Sequence, residues 1–239
     1  MYMKTKDEAD VKEAIGGEGK PIRVLNYIGA TGSLGDGGPQ GFMVCMNPNS
    51  TGNPHFHPAD QFQVFFGTDG STFARKPVPR VFLHYTDYYT PYGPFASGAG
   101  GMNFFTLRAE ASLGTFWMPE MRDKMIRKAG RSVHVSVPDT DKSPGKATCT
   151  TLAERQPDGL AAYVLSGGPG SHITGPSPAG SKGQYYIVTS GSMQCQGKRL
   201  PFQSVLFVKP DEAPPVVGAD EAGGFEAVVL QYPLARNGA

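Results

Sequence analysis

Short runs of alternating apolar residues, bounded by glycine or proline, recur along the chain and constrain its fold more than any other feature. Glycine and proline account for 53 of the 239 residues (32 and 21), just below the roughly 25–30% typical of low-complexity chains. Twenty-five aromatic residues (14 Phe, 10 Tyr and 1 Trp) can build a core. Many short strands joined by tight turns are expected from this pattern, which predicts an all-β protein. The predicted strands are residues 22–28, 42–46, 54–57, 61–66, 81–85, 103–108, 114–117, 160–165, 184–189, 205–209 and 225–231.

Two segments depart from this alternation and predict short helices. Residues 5–15 offer Thr5 as an N-cap and Glu8 three residues later, and Gly16-Gly17 follows as a stop. Residues 119–130 begin with a proline at the first helical position, and Lys124, Arg127 and Lys128 precede the closing glycine. We therefore expect one or two short helices beside the strands.

A weak internal repeat indicates two β domains of similar design. The segment from Gln61 can be laid on the segment from Gln184 at an offset of 123, and the same offset puts His84 on Phe207. Between the two copies, residues 138–159 are polar and contain three prolines and two glycines, which is typical of a linker. The sequence predicts a barrel at 1–137, a linker at 138–159 and a second barrel at 160–239.

Charge, hydropathy and cysteine content limit the partners and the compartment. The net charge of +1 argues against a nucleic-acid binder that works through bulk charge. No apolar run approaches the about 18 residues of a membrane span, and the N-terminal residues do not resemble a secretory signal. Three widely spaced cysteines give no disulfide framework, as is usual in a reducing cytoplasm. We expect a cytoplasmic protein with a small-molecule ligand or substrate, no nucleic acid and no membrane, and a homodimer or other homo-oligomer stays open.

The segment from Pro54 to Gly67 carries the clearest chemical signal. His55 and His57 lie two residues apart on a predicted strand, so both imidazoles point to one face and can bind one metal ion. Gln61 and Gln63 point together from the next strand, and His84 on a further strand can close a third side. These five residues are the predicted metal ligands. Imidazole ligands suit Fe, Zn, Ni or Cu better than Mg or Ca, so we expect one divalent transition metal of that group.

This segment resembles the first motif of the cupin superfamily, G-x5-H-x-H-x3/4-E-x6-G. Gly52 stands three rather than six residues before the paired histidines, Gln61 replaces the glutamate, and Gly67 closes the motif one residue early. The second cupin motif has no clean match around His84. The resemblance implies double-stranded β-helix (jelly roll) barrels, two cupin-like units in one chain, and a metal near the first barrel's axis, held by the histidine pair and a third histidine.

The second half resembles a degenerate cupin unit. Gln184 and Gly191 match the end of the motif, but no paired histidines precede them, and Phe207 falls at the position of the third histidine. The resemblance implies a second barrel without a metal. In the first half, a carboxylate in place of Gln61 is expected to strengthen binding of a divalent ion, because it adds charge attraction.

Three functions remain open at this level. The first is a metal-dependent enzyme that acts on a small organic acid or enolisable compound, which with Fe(II) would be a three-histidine dioxygenase. The second is a non-enzymatic ligand-binding protein, and the third is a non-redox isomerase or lyase. Tyr85 and Tyr92 are the candidate catalytic residues, because phenols can donate to a bound oxyanion. No dedicated anion clamp stands out, although four cations lie near enough to be considered: Arg75, Lys76, Arg80 and Arg108.

Overall fold

The computed structural model describes residues 1–16, 19–126 and 130–234, and within these residues the chain is built from strands. Its regular elements there are twenty-two β-strands and one short 3-10 turn, so the predicted all-β class is confirmed. The strands are β1 (Tyr2–Lys4), β2 (Asp10–Ile15), β3 (Pro21–Ile28), β4 (Gln40–Met46), β5 (Thr51–Gly52), β6 (His55–Phe56), β7 (Gln61–Phe66), β8 (Thr72–Phe73), β9 (Lys76–Pro77), β10 (Phe82–Thr86), β11 (Phe95–Ala96), β12 (Met102–Arg108), β13 (Phe116–Trp117), β14 (Ser132–Ser136), β15 (Ala147–Ala153), β16 (Ala161–Gly167), β17 (His172–Thr174), β18 (Gln184–Cys195), β19 (Lys198–Pro201), β20 (Val205–Val208), β21 (Val216–Gly218) and β22 (Phe225–Gln231).

Both predicted helices are corrected by the structure. Residues 10–15 form strand β2, which pairs antiparallel with β3 along its whole length. This ladder overrides the local helix signals, and Gly17 lies outside the described residues. The second segment is limited to the 3-10 turn at Arg122–Lys124, which buries no residue. A short helix without a buried face has little to stabilise it. The end of that predicted helix, residues 127–129, lies outside the described residues.

Two compact units divide the chain. One comprises residues 9–137, and the other joins residues 1–8 to residues 138–239. The prediction placed the first eight residues in the first unit. They belong to the second unit, because strand β1 pairs with β20. The predicted linker at 138–159 contains strand β15, which pairs with β16. The middle of that segment is therefore part of the second unit's sheet.

The first unit is organised around a seven-stranded sheet in the order β14-β10-β7-β12-β4-β3-β2. The pairing of β7, β12 and β4 aligns side chains in rows that run across the three strands. Successive rows on the same face are two residues, or about 6.8 Å, apart along each strand. We define three of them: the charged row is Gln61, Arg108 and Gln40; the middle row is Gln63, Thr106 and Phe42; the apolar row is Phe65, Phe104 and Val44.

A smaller four-stranded sheet, in the order β5-β11-β8-β9, packs against the apolar end of these rows. Phe73 and Phe95 from this sheet contact Phe65, with ring centroids 5.2 and 5.8 Å apart. Tyr92 and Met102 belong to the same buried cluster. This buried cluster therefore lies at one end of the rows, and the charged row lies at the other end.

The second unit holds a nine-stranded sheet whose main path is β1-β20-β18-β22-β16-β15. Its interior is filled by apolar side chains that include Tyr186, Val188 and Leu206. The register corrects the predicted equivalence of Phe207 and His84. His84 lies opposite Gln63, whereas the residue opposite Tyr186, the counterpart of Gln63, is Leu206. The second unit has one residue fewer between the two paired strands than the first unit has, so Phe207 corresponds to Tyr85.

Phe207 nevertheless remains a buried residue of the second unit, 3% exposed and with its ring 4.7 Å from that of Tyr185. We expect Phe207→Ala to lower the free energy of unfolding of this unit by about 3–5 kcal/mol, through lost burial and the cavity left behind. Urea denaturation followed by circular dichroism measures this change. Phe202→Ala, at a ring that is 44% exposed, is the matched control and should change stability by less than about 1 kcal/mol. Equal stabilities of the two variants would contradict the assignment.

Candidate functional site

The two predicted histidines lie together on the wall of a cavity of about 280 Å³ in the first unit. Their ring centroids are 5.0 Å apart and their planes are nearly perpendicular. Nδ1 of His55 donates to the carbonyl of Asn53, and Nδ1 of His57 donates to the carbonyl of Gly114, both at 2.7 Å. A carbonyl can only accept, so the proton is fixed on Nδ1 and the lone pair of each Nε2 is left available.

Burial keeps both imidazoles neutral. It lowers the pKa of His55 to about 4 and the pKa of His57 well below its usual value, and the charge of Arg108 lowers both further. The backbone hydrogen bonds act in the opposite direction but are outweighed. Neutral imidazoles with a free Nε2 are the form in which histidine binds a metal.

Arg108 is a buried cation at the same cavity, only 4% exposed. Its Nε and Nη2 donate to Oε1 of Gln61 at 3.3 and 3.1 Å. Its Nη1 donates to Oε1 of Gln40 at 2.7 Å and to the carbonyl of Ser112 at 3.1 Å. These three acceptors are neutral groups, and together they orient the guanidinium. In the sequence, Arg108 is one of four nearby cations without a distinctive motif, although its alternation with Thr106 and Phe104 signals an inward side chain.

The two predicted glutamines serve different purposes. Gln61 donates through Nε2 to the hydroxyl of Tyr92 at 2.7 Å while its Oε1 accepts from Arg108. Gln63 lines the cavity and also hydrogen-bonds to Tyr92, and its Oε1 is buried without a hydrogen-bond partner. Gln63 therefore offers an oxygen ligand. A carboxylate at position 61 would face the guanidinium of Arg108, which opposes the gain in metal binding expected from Gln61→Glu.

His84 does not join the histidine pair. Its ring lies 4.8 Å from the ring of Tyr92, which in turn lies 4.5 Å from His55. The side chain is fully buried, neither ring nitrogen has a hydrogen-bond partner, and it does not line the cavity. Within residues 1–16, 19–126 and 130–234 there is no group of three or more His, Cys, Asp or Glu side chains that could hold a metal.

Of the two candidate tyrosines, Tyr92 lines the cavity and Tyr85 does not. Tyr92 lines the cavity with its hydroxyl between two amides, and burial raises its pKa, so it stays protonated. Because both amides donate to the phenol oxygen, its own hydrogen can be donated to a ligand. Tyr85 points to the opposite face of β10 from His84 and donates to Asp87 at 2.9 Å. The structure does not bring Tyr85 to the cavity.

Trp117 is the residue of this wall that sequence reasoning missed. It lies on β13, which pairs with β6 and sets Trp117 opposite His55. The two rings are 4.7 Å apart, and Trp117 lines the cavity. It is the one tryptophan in the chain. A lone tryptophan gives no sequence signal for a site, but here it is a spectroscopic reporter placed in the cavity wall.

Comparison with known proteins yields likeness of fold alone. No protein-family profile and no curated protein sequence matches the chain. Among solved structures, the chain is similar to a candidate dioxygenase from Nostoc punctiforme (TM-score 0.63, 12% identity, covering 99% of this chain and 84% of that one). It is similar to a deletion mutant of Bacillus subtilis oxalate decarboxylase (0.60, 10%, 98% and 77%), an enzyme with Mn(II) centres. It is also similar to hazelnut (Corylus avellana) vicilin (0.56, 15%, 97% and 85%).

These likenesses confirm the fold that the sequence resemblance implies, a jelly-roll arrangement of the cupin type. Across the part of the chain that the structure describes, no helix has the length and apolar character needed to span a membrane.

The hydroxyl of Tyr92 supports the amide network, and its removal tests that role. We expect Tyr92→Phe to lower the free energy of unfolding by about 1–3 kcal/mol, because the amides of Gln61 and Gln63 lose a buried acceptor. Tyr89→Phe is the control, since the ring of Tyr89 packs on Phe56 and Phe116 and should lose less than about 0.5 kcal/mol. Thermal and urea denaturation provide the measurement, and an effect of Tyr92→Phe no larger than that of the control would contradict the network.

Proposed function

We propose that the first unit is a metal-dependent enzyme that acts on a small organic acid. The observation that carries the proposal is the shared cavity wall: two neutral imidazoles with free Nε2 atoms lie beside the buried cation Arg108. The imidazoles suit a metal, and the guanidinium suits a carboxylate. The comparisons support this coarsely, since two of the similar structures are a candidate dioxygenase and an oxalate decarboxylase.

The histidine pair fits one metal ion. The ring centroids of His55 and His57 are 5.0 Å apart, so these two imidazoles would hold one ion between them. The unpartnered Oε1 of Gln63 is available as a third protein ligand. These neutral ligands favour Fe, Zn, Ni or Cu, and such a metal would polarise substrate oxygens or, as iron, support dioxygenase chemistry.

The protein's own groups select and orient the acid. The described part of the lining contains the cations Arg108 and Lys20 and no Asp or Glu, so the cavity attracts anions. Arg108 is held by Gln61 and Gln40 before any ligand arrives, which reduces the ordering cost of binding. The hydroxyl of Tyr92 donates a hydrogen bond to an oxygen of the bound acid, which assists any step that increases charge on that oxygen.

A non-enzymatic carboxylate-binding protein is the second candidate function. It is favoured by one specific observation: His84 stays apart from the histidine pair, and the described residues assemble no group of three His, Cys, Asp or Glu ligands. In this alternative Arg108 and Tyr92 bind the acid and no metal is required. The two candidates differ in whether removal of metal abolishes turnover or leaves acid binding unchanged.

Metal titration of the full chain tests the proposal. We expect one equivalent of Zn(II), or of Fe(II) without oxygen, to quench the emission of Trp117, because its ring lies against His55. His57→Gln and His55→Gln should each weaken binding by at least about 100-fold, since even the loss of a supporting partner around a metal typically weakens it 10- to 100-fold. His172→Gln, at an exposed histidine of the other unit, should bind like the parent.

Plasma mass spectrometry of the purified protein gives the stoichiometry independently. Unchanged affinity in the folded His57→Gln and His55→Gln variants, or consumption of no candidate acid by the metal-loaded chain with or without oxygen, would contradict the enzyme proposal. Binding of acids to metal-free protein without turnover would instead support the second candidate.

A further inference from the structure

Polarity falls along the three rows of the sheet that line the cavity. The charged row supplies Arg108 and Gln40, and the middle row supplies Gln63, Thr106 and Phe42. The apolar row then contributes Phe104 and Val44, and beyond it the lining continues through Met46 to the polar residue Asn47. Successive rows are about 6.8 Å apart, so a ligand whose charged end lies at Arg108 extends past the middle row to the apolar row.

The volume of the cavity sets the size of that body. A cavity of about 150 Å³ lined by apolar side chains is known to hold benzene, which has six non-hydrogen atoms. By proportion, the 280 Å³ here accommodates about eleven non-hydrogen atoms. Oxalate has six non-hydrogen atoms, so it would leave about half of the cavity empty.

The other unit shows what is particular to this cavity. Gln184 and Gln231 are 47 residues apart and hydrogen-bond to each other at 2.7 Å in the second unit, as Gln61 and Arg108 do in the first. The equivalent pair is therefore two neutral amides there, and an amide with a cation here. Arg108 occupies the position that corresponds to Gln231. This pair of positions is therefore positively charged in the first unit and neutral in the second.

From these observations we infer that the ligand is an amphipathic monocarboxylate of about eleven non-hydrogen atoms, its carboxylate at Arg108 and its aryl or alkyl body along the middle and apolar rows. The inference rests on the proposed function, because it assumes that the cavity takes an organic acid, and it names the class of that acid. A second carboxylate would gain little at Lys20, since that side chain is exposed to solvent and its charge is screened.

Emission of Trp117 reports binding directly, because it is the single tryptophan and lines the cavity. The full chain is titrated with oxalate, malonate, acetate, benzoate, phenylacetate, 3-phenylpropanoate and the neutral 3-phenylpropanamide. We expect affinity to rise about fourfold with each added CH2 that becomes buried. 3-Phenylpropanoate, with eleven non-hydrogen atoms, should bind most tightly, and its amide should bind at least about 10-fold more weakly because it lacks the charge that meets Arg108.

Two variants separate the charge from the apolar body. Gln61→Glu introduces a carboxylate that pairs with Arg108 and should weaken 3-phenylpropanoate about 10- to 100-fold while leaving its amide unchanged. Val44→Thr places a hydroxyl in the apolar row and should weaken 3-phenylpropanoate but not acetate. Arg75→Gln removes one exposed cation outside the cavity and is the control, expected to bind as the parent does. If Gln61→Glu fails to fold, Arg108→Lys replaces it, with loss of the two-point contact as the expected result.

The titrations can contradict the inferred class of ligand without contradicting the proposed function. Tighter binding of oxalate or malonate than of 3-phenylpropanoate, with the same sensitivity to Gln61→Glu, overturns the inference and leaves the organic-acid proposal intact. Binding of 3-phenylpropanoate that is equal in the parent and in Gln61→Glu also overturns the inference. Failure of every carboxylate to bind overturns both. The expected order, with the expected response of the two variants, supports both.

Discussion

The guanidinium of Arg108 is held at the cavity wall of the first unit by amide and carbonyl oxygens, and the electrostatics of the cavity depend on that arrangement. A buried cation is costly unless its N–H groups find acceptors. Gln61, Gln40 and Ser112 supply them. The positive charge of Arg108 acts on its surroundings, since it lowers the pKa of both cavity histidines. Arg108 thus helps keep the imidazoles neutral and contributes a positive charge to the cavity wall.

This arrangement explains the glutamine at position 61, which looks like a defect when the chain is compared with the cupin motif. A glutamate there would pair with Arg108 and cancel the charge. The amide instead accepts from the guanidinium and donates to Tyr92 in the same geometry. A carboxylate cannot make both contacts while ionised, since it has no hydrogen to donate. Under the proposed function, the bound acid would supply the negative charge that the amide at position 61 lacks.

Local pattern predicted a large part of this molecule, and long-range packing decided the rest. The period of two located most strands, and the spacing of His55 and His57 was enough to place both rings on one wall. The role of His84 could not be read from the same pattern, because the loop that inserts the ring of Tyr92 beside it has no periodic signal. Residues 10–15 show the converse, since acceptable helix caps were overridden by a ladder with β3.

The register error at Phe207 has a similar origin. A repeat aligned on one strand says nothing about the length of the turn before the next, and one residue is enough to exchange the faces of a strand. The cation at the cavity was visible in the sequence as an inward position of β12, yet only the folded sheet shows that it meets Gln61 and Gln40.

The loop between β12 and β13 links two parts of the site. Its Ser112 carbonyl accepts from Arg108, and its Gly114 carbonyl accepts from His57. Since one short segment orients both the cation and an imidazole, local opening of that segment releases them together. The anion-binding and imidazole functions of the cavity are therefore expected to be gained and lost as a single cooperative unit, whichever of them a ligand engages first.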